Sequence, residues 1–297
     1  MKYYLGIDGG GTKTVAAVSD EKGNILTKKT GKSINFYSVG MNNARKHLSD
    51  MIAEICNELG VSEFSGVFIG CSALDDKADD TLVNELCSGV VPSDSIVMHS
   101  DVYIALKSVS DAKCPCAAIC GTGSMAIAED SDSVSYVTGG WGHIIGDEGS
   151  AYSIALNALK LCCRNRDAEN KTALVECACK HFGVADFRQI IDIIYSPDTT
   201  KDVIALFAEK VGILANDGVS AAAEIIRTEA ELFADTVITL VNKADCDVVC
   251  LFGSVFKHNE LFTAAFSEKV KKYCSKTHIR MSEIPAEESA VKLAREL

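Results

Sequence analysis

The sequence predicts an α/β protein of two domains, and three observations carry that expectation. Each half opens with an apolar strand, a glycine-bearing turn and a second strand. Tyr3–Ile7 and Val15–Val18 flank the first such turn, and Cys116–Cys120 and Met125–Ala128 flank the second. Strand-like and helix-like runs then follow in both halves. Finally, 297 residues, 47% hydrophobic and 24% charged, suffice for two ordinary globular cores.

From the N-terminus, Tyr3–Ile7, Val15–Val18 and Ile25–Lys29 read as a β-meander whose second turn is Asp20-Glu21-Lys22-Gly23-Asn24. An amphipathic helix follows, with Met41, Ala44, Leu48, Met51, Ile52, Ile55 and Leu59 on one face, and Gly60 ends it. Val67–Gly70 reads as a buried strand, Leu82–Val90 as a helix, and Ile96–His99 as a strand leading into a helix at Asp101. In the second half, Ser133–Thr138 is a third strand and Ser150–Cys163 a helix, and helical patterning runs on to Lys243. Val248–Phe252 is a strand broken at Gly253, and Ala286–Leu297 a closing helix. The expected domains are residues 1–111, rejoined by a C-terminal helix at 287–297, and residues 112–286. The simplest architecture gives each half one hairpin on a shared cleft.

Charge and composition narrow the function. A formal net charge of −12 argues against a nucleic-acid partner, which needs clustered Lys and Arg. It leaves nucleotide binding open, because backbone amides can hold phosphates on an acidic protein. No apolar run has the length of a membrane span, and no secretory segment follows Met1-Lys2. The thirteen cysteines are odd in number and irregularly spaced, and read as reduced thiols in a cytoplasmic protein.

The chemistry concentrates in five stretches. In Asp8–Thr14, three consecutive glycines let the backbone approach a phosphate chain, so Gly10 and Gly11 are candidate phosphate-binding positions. Thr12 and Lys13 add a hydroxyl and a cation, and Asp8 at the strand end is placed to hold Mg²⁺. The spacing is neither that of a Walker loop nor, with a strand following, that of a dinucleotide fingerprint. An ordinary glycine-rich turn would look the same. Gly121-Thr122-Gly123-Ser124 is a second such turn, and the pair suggests two loops gripping one triphosphate. Asp101 reads either as a helix cap or as a general base taking a proton from a substrate hydroxyl. Gly139–Ser150 holds five glycines and the only tryptophan, a loop costly to order unless it serves a ligand. Within it, Asp147 and Glu148 are candidates to bond sugar hydroxyls. Gly253 and Ser254 end a buried strand where a flat adenine ring, or simply a close helix, would fit. The CxC pairs Cys114/Cys116 and Cys177/Cys179 lack zinc-finger spacing.

In this order the motifs resemble the sugar kinase/heat-shock protein/actin superfamily. Asp8–Thr14 is similar to its first phosphate motif, Ile119–Ser124 to its second and Val249–Val255 to its adenosine motif. Gly139–Tyr152, reading GGWGHIIGDEGSAY, and Gly253–Lys257 resemble N-acetylglucosamine kinase and its BadF/BadG/BcrA/BcrD-type relatives. The resemblance implies two ribonuclease H-like (actin-like ATPase) domains with an interdomain cleft. It implies ATP with Mg²⁺, a homodimer, and transfer of the γ-phosphate to the 6-hydroxyl of N-acetylglucosamine or a related amino sugar. By position it implies sugar contacts at Asn35, Gly140, Trp141 and Asp147, a catalytic base at Asp101, phosphate contacts at Thr12 and Thr122, and Ala215 near the nucleotide. Two departures stand out: the usual Asn-Asp-Ala at the base is His99-Ser100-Asp101-Val102, and the C-terminal Gly-Ala turn is Ser289-Ala290. The alternative within this family is an ATPase activator carrying an iron–sulfur cluster, which the cysteine count keeps open. A sugar-sensing repressor would need a DNA-binding segment, for which a first strand at residue 3 leaves no room.

Overall fold

The computed structural model describes residues 2–297 apart from Asp75, Ser110, Asp111 and Ser133. The start of the strand expected at Ser133 and the domain boundary expected at 111/112 therefore lie outside the described residues. The chain forms two compact units, Met1–Ser110 with Ser282–Leu297, and Asp111–Met281.

The first unit is built on β1 (Tyr3–Gly9), β2 (Lys13–Asp20), β3 (Ile25–Lys32), β4 (Gly66–Cys71) and β5 (Ile96–His99). Their order in the sheet is β3-β2-β1-β4-β5, with β1 to β3 antiparallel and β1, β4 and β5 parallel. Alternation along the strands sends Leu5, Ile7, Val67 and Ile69 to one face, where they pack with Leu48, Ile52 and Ile55 of the helix Met41–Leu59. Tyr4 and Phe68 turn to the other face, against Ile104 of the helix Asp101–Lys107 and Ala290 and Ala294 of the helix Ala286–Ala294. Gly6 and Gly66 let that last helix lie directly on the sheet. A Cβ on Gly6 would stand 2.2 Å from the Val291 nitrogen, and one on Gly66 2.3 Å from the Ala294 oxygen.

The second unit repeats the plan. It has β6 (Pro115–Cys120), β7 (Ser124–Glu129), β8 (Ser135–Gly139), β9 (Val248–Phe252) and β10 (His278–Met281) in the order β10-β9-β6-β7-β8. Again three antiparallel strands are followed by two parallel ones, joined here by a long helical insertion. The 25-residue helix Ser220–Ala244 buries Ile226, Phe233, Val237 and Leu240 in a core shared with the small side chains of Cys116, Ala118, Ala126 and Ala128. Among the described residues no helix is long and apolar enough to cross a membrane.

Candidate active site

In the first unit β1 ends at Asp8 and Gly9, and Asp8 lies in register with Val15 on β2 and Gly70 on β4. Gly70 has no side chain because the helix Asp101–Lys107 sits on it: a Cβ there would be 2.2 Å from the Ile104 Cδ1 and 3.2 Å from the Asp101 Cα. Asp101 is the first helical residue after Ser100, which makes no side-chain cap bond. The two carboxyls, Asp8 and Asp101, thus gather at one end of the sheet. Burial, then the charges of Asp101 and Glu287, push the Asp8 carboxyl up to about 7, against the pull of Lys13. Burial also pushes Asp101 up to about 6, opposed by the N–H groups of Val102 and of Asp101 itself. Desolvated acids grouped this way are a mark of functional sites.

The hairpin beyond Asp8 is open, with Gly11, Thr12 and Lys13 exposed. Its back is tied down. Ser33 Oγ donates to the Gly10 carbonyl at 2.9 Å and accepts from the Asn35 N–H at 3.1 Å. The Ile34 N–H donates to Thr14 Oγ1. Asn35 is buried and already engaged: its Oδ1 accepts from the N–H groups of Tyr37 and Ser38, capping the short helix Phe36–Val39, and its Nδ2 donates to Ser72 Oγ at 3.0 Å. The amide is held in one orientation before any ligand arrives. His99 is fixed too. Its Nδ1 accepts from the Ser100 N–H at 2.8 Å, and its ring stacks on Tyr103 at 3.8 Å. Its Nε2 lies 3.3 Å from Asp76, and burial lowers its pKa while the Asp76 charge opposes that shift.

In the second unit the β6–β7 turn is Gly121-Thr122-Gly123. The following loop, Gly140–Ser150, folds back on it. The Gly140 N–H donates to the Ser124 carbonyl, Ser124 Oγ to the Glu148 carbonyl at 2.7 Å, and the Ala151 N–H to the Gly121 carbonyl at 2.8 Å. Asp147 is buried at φ +60, with its carboxylate against Gly123, where a Cβ would approach Oδ2 to 2.9 Å. Burial raises its pKa, with Lys201 and the N–H groups of Ser124 and Gly142 opposing. Ser150 caps the helix Ala151–Asp167 by accepting from the Ser153 N–H. Trp141 is not core: it is 74% exposed, as are Ile144 at 85% and Ile145 at 74%. Gly253, at φ +100, sits so close to β6 that a Cβ would lie 2.1 Å from the Cys120 oxygen. Gly253 and Ser254 are thereby brought to the end of β6 that carries the glycine turn. Ala215 lies in the core packing of the helix Phe207–Asn216.

Each unit holds a share of the expected residues, and Ala215 stays in the core of the second. Asp8, Gly10 to Lys13, Asn35 and Asp101 belong to the first, and Gly121 to Gly123, Gly140, Trp141, Asp147, Gly253 and Ser254 to the second. Sequence reasoning missed Ser33 and Ser72, which brace Asn35, and Glu229, which is 2% exposed and bonds the Gly149 N–H. A serine next to a predicted strand end carries no signal, and Glu229 looks like one more charge on a helix. The cysteines are mostly buried; Cys114 and Cys246 approach to 3.6 Å. Among the described residues no three His, Cys, Asp or Glu side chains form a metal-holding group.

This two-sheet architecture with its paired glycine turns can be set beside known proteins. The profile of the BadF/BadG/BcrA/BcrD ATPase family matches residues 5–291. The chain belongs to that family. Among characterised relatives, an N-acetylmuramic acid/N-acetylglucosamine kinase from Clostridium acetobutylicum is 29% identical over 252 residues, 82% of each chain. An N-acetyl-D-glucosamine kinase from Dictyostelium discoideum is 28% identical over 208 residues, covering 66% of this family member and 65% of the relative. A glucosamine kinase from Vibrio cholerae is 26% identical over 258 residues, 86% and 85% of the two chains. The fold matches a crystal structure described as a candidate N-acetylglucosamine kinase from Chromobacterium violaceum, with a TM-score of 0.81 over 99% of both chains at 19% identity. It also matches a ROK family glucokinase from Streptomyces griseus, with a TM-score of 0.66 and 16% identity over 99% of this chain and 100% of that one.

Proposed function

We propose that this chain is an ATP-dependent amino-sugar kinase. It transfers the γ-phosphate to the 6-hydroxyl of N-acetylglucosamine or a close relative such as N-acetylmuramic acid or glucosamine. The observation that carries the reading is Asp101, a desolvated carboxyl at a helix start beside Asp8 and the glycine hairpin, in a chain whose relatives are amino-sugar kinases.

In this reading Asp101 orients the sugar hydroxyl and takes its proton as the oxygen attacks phosphorus. Asn35, held by Ser72 and its own helix, presents its amide to the sugar in a preset orientation. Gly10, Gly11, Thr12 and Lys13, and in the second unit Gly121, Thr122 and Gly123, hold phosphate oxygens. Gly140, Trp141 and Asp147 take the amino sugar, the exposed indole as an apolar face and Asp147 as a hydroxyl acceptor. Gly253 and Ser254 leave room for the adenine, and Ala215 lies near the nucleotide. Asp8 suits Mg²⁺, since it is a hard oxygen donor in the field of Asp101 and Glu287, whose repulsion a cation relieves. When bound, the ion screens the charge of the phosphate oxygens. The reading divides the chain into domains 1–111 with 287–297 and 112–286. It includes a homodimer, and a cytoplasmic home where ATP is abundant and the free cysteines stay reduced.

The test is ADP release by the purified protein with ATP, Mg²⁺ and a panel of N-acetylglucosamine, N-acetylmuramic acid, glucosamine, N-acetylmannosamine and glucose. At least one amino sugar is expected to raise the rate about tenfold or more above ATP alone. If none does, the kinase reading falls. Light scattering checks the dimer.

A further inference from the structure

The loop Gly140–Ser150 is held from behind by a buried acid on the helix Ser220–Ala244. Glu229 is 2% exposed, and both of its carboxylate oxygens are used. Oε2 accepts the Gly149 N–H at 2.7 Å, and Oε1 accepts Asn157 Nδ2 at 2.5 Å from the helix Ala151–Asp167. An acid is rarely buried to this depth unless its partners require it.

Gly149 has no slack. It stands at φ +82, and a Cβ on it would meet the Phe233 Cβ at 2.6 Å and the Glu229 backbone carbonyl oxygen at 3.0 Å, so its backbone lies flat on the same helix. Its carbonyl accepts from the Cys120 thiol at 3.1 Å, and the carbonyl of Glu148 from Ser124 Oγ. Two residues before Gly149, Asp147 stands at φ +60 with its carboxylate packed against Gly123. A displacement of Gly149 is therefore felt at Asp147 through the Glu148–Gly149 peptide, bonded at its carbonyl and its N–H, and the Asp147 carbonyl, which accepts from the Ser150 N–H.

We propose that Glu229 is a positioning residue: by holding the Gly149 N–H it sets the aim of Asp147 at the sugar, and Asn157 orients Glu229 for that task. The inference rests on the reading of Gly140–Ser150 as the sugar loop. Supports of this kind matter because a displacement of about 1 Å in a positioned group can lower a rate by two orders of magnitude. The Glu229–Asn157 pair also lines a solvent-open groove of about 580 Å³ between the two helices, with Leu161, Arg164, Glu224 and Thr228 on its walls. A small carboxylate entering the groove can thus reach the space that Glu229→Ala would vacate.

The experiment compares Glu229→Ala, Glu229→Gln and Asn157→Ala in the full chain. Glu229→Ala is expected to raise KM for the amino sugar about tenfold or more, with KM for ATP within about twofold. Glu229→Gln keeps one acceptor for the Gly149 N–H and pairs with a flipped Asn157 amide, so it recovers sugar KM to within about threefold of the wild type. Asn157→Ala falls between the two. Added acetate lowers the sugar KM of Glu229→Ala, and chloride at equal ionic strength does not. Hydrogen exchange of the backbone in residues 140–150 is faster in Glu229→Ala than in the wild type, a readout that needs no turnover. Should the wild type phosphorylate no sugar while exchange still responds to Glu229, the kinase reading fails and the positioning role stands. Unchanged exchange and unchanged sugar KM in Glu229→Ala overturn the proposal. So does a parallel rise of both KM values with a fall in melting temperature that glutamine does not rescue. If Glu229→Ala fails to fold, Glu229→Gln and Asn157→Ala carry the same test.

Discussion

In the β1–β2 hairpin the turn Gly10-Gly11-Thr12 stands beside two desolvated carboxyls, Asp8 and Asp101, and is anchored mainly through the Gly10 carbonyl and Ser33. In the β6–β7 hairpin the turn Gly121-Thr122-Gly123 is bonded to the first residues of the helix Ala151–Asp167, through the N–H groups of Ala151 and Tyr152, and faces the buried acid Asp147. Both turns hang from sheets of the same strand order. A shared frame thus brings a glycine turn to one sheet end in each unit, and the residues added around it decide the chemistry. In the proposed function the first serves proton transfer and the metal. The second is a preformed cradle of hydrogen bonds.

The sharpest way to break this contrast is to neutralise one acid in each unit. Asp101→Asn is expected to lower kcat by about 10²–10⁴-fold in the coupled ADP assay while ATP still binds. Asp147→Asn is expected to act on KM for the sugar, raising it about tenfold, with kcat at saturating sugar nearly held. If the two variants show the same split, the division of labour is wrong.

The glycines that build the two frames come next. Gly253→Ala meets backbone at 2.1 Å from a residue at φ +100, so neither rotamer change nor side-chain movement relieves it. A loss of about 3 kcal/mol or more in thermal unfolding is expected. Gly6→Ala meets the Val291 nitrogen at 2.2 Å on a separate helix, which can lift away, so a smaller loss of about 1–3 kcal/mol is expected. Equal losses would mean that the C-terminal helix is as immovable as a strand end.

The smallest effect concerns a surface clasp in the first unit. Lys28 on β3 reaches Glu287 at 2.8 Å and Glu288 at 2.6 Å, and is partly exposed. Lys28→Met is expected to cost less than about 1 kcal/mol in denaturant titration, and the difference from the wild type should vanish near about 1 M salt.

Much of the frame was legible because it rests on period and punctuation. Leu5 and Ile7, Val67 and Ile69 alternate, and the helix Met41–Leu59 shows its stripe and its Gly60 stop. β10 was not legible: His278-Ile279-Arg280-Met281 is an edge strand of four residues with no apolar run, and it is defined only by pairing with β9. The helix Phe36–Val39 escaped for a similar reason, since four residues show no period, and its existence depends on the Asn35 cap. The helix expected at Leu82–Val90 begins and ends earlier, at Asp80–Cys87, because Asp79 caps it by accepting the Leu82 N–H. In the site, residues flagged by glycine or by rarity could be read directly. The bracing ones could not, because Glu229 lies 80 positions from Gly149 and only folding introduces them.

The C-terminal helix has a consequence for how the chain is made. Residues 286–294 cover the face of the first sheet that carries Tyr4 and Phe68, yet they come after the whole second unit in the chain. While the ribosome adds the second unit, the first waits with that apolar face covered only by the helix Asp101–Lys107 and its Gly6 and Gly66 furrows unfilled. A premature stop ahead of residue 286 would therefore cripple a part of the protein that had been translated long before it.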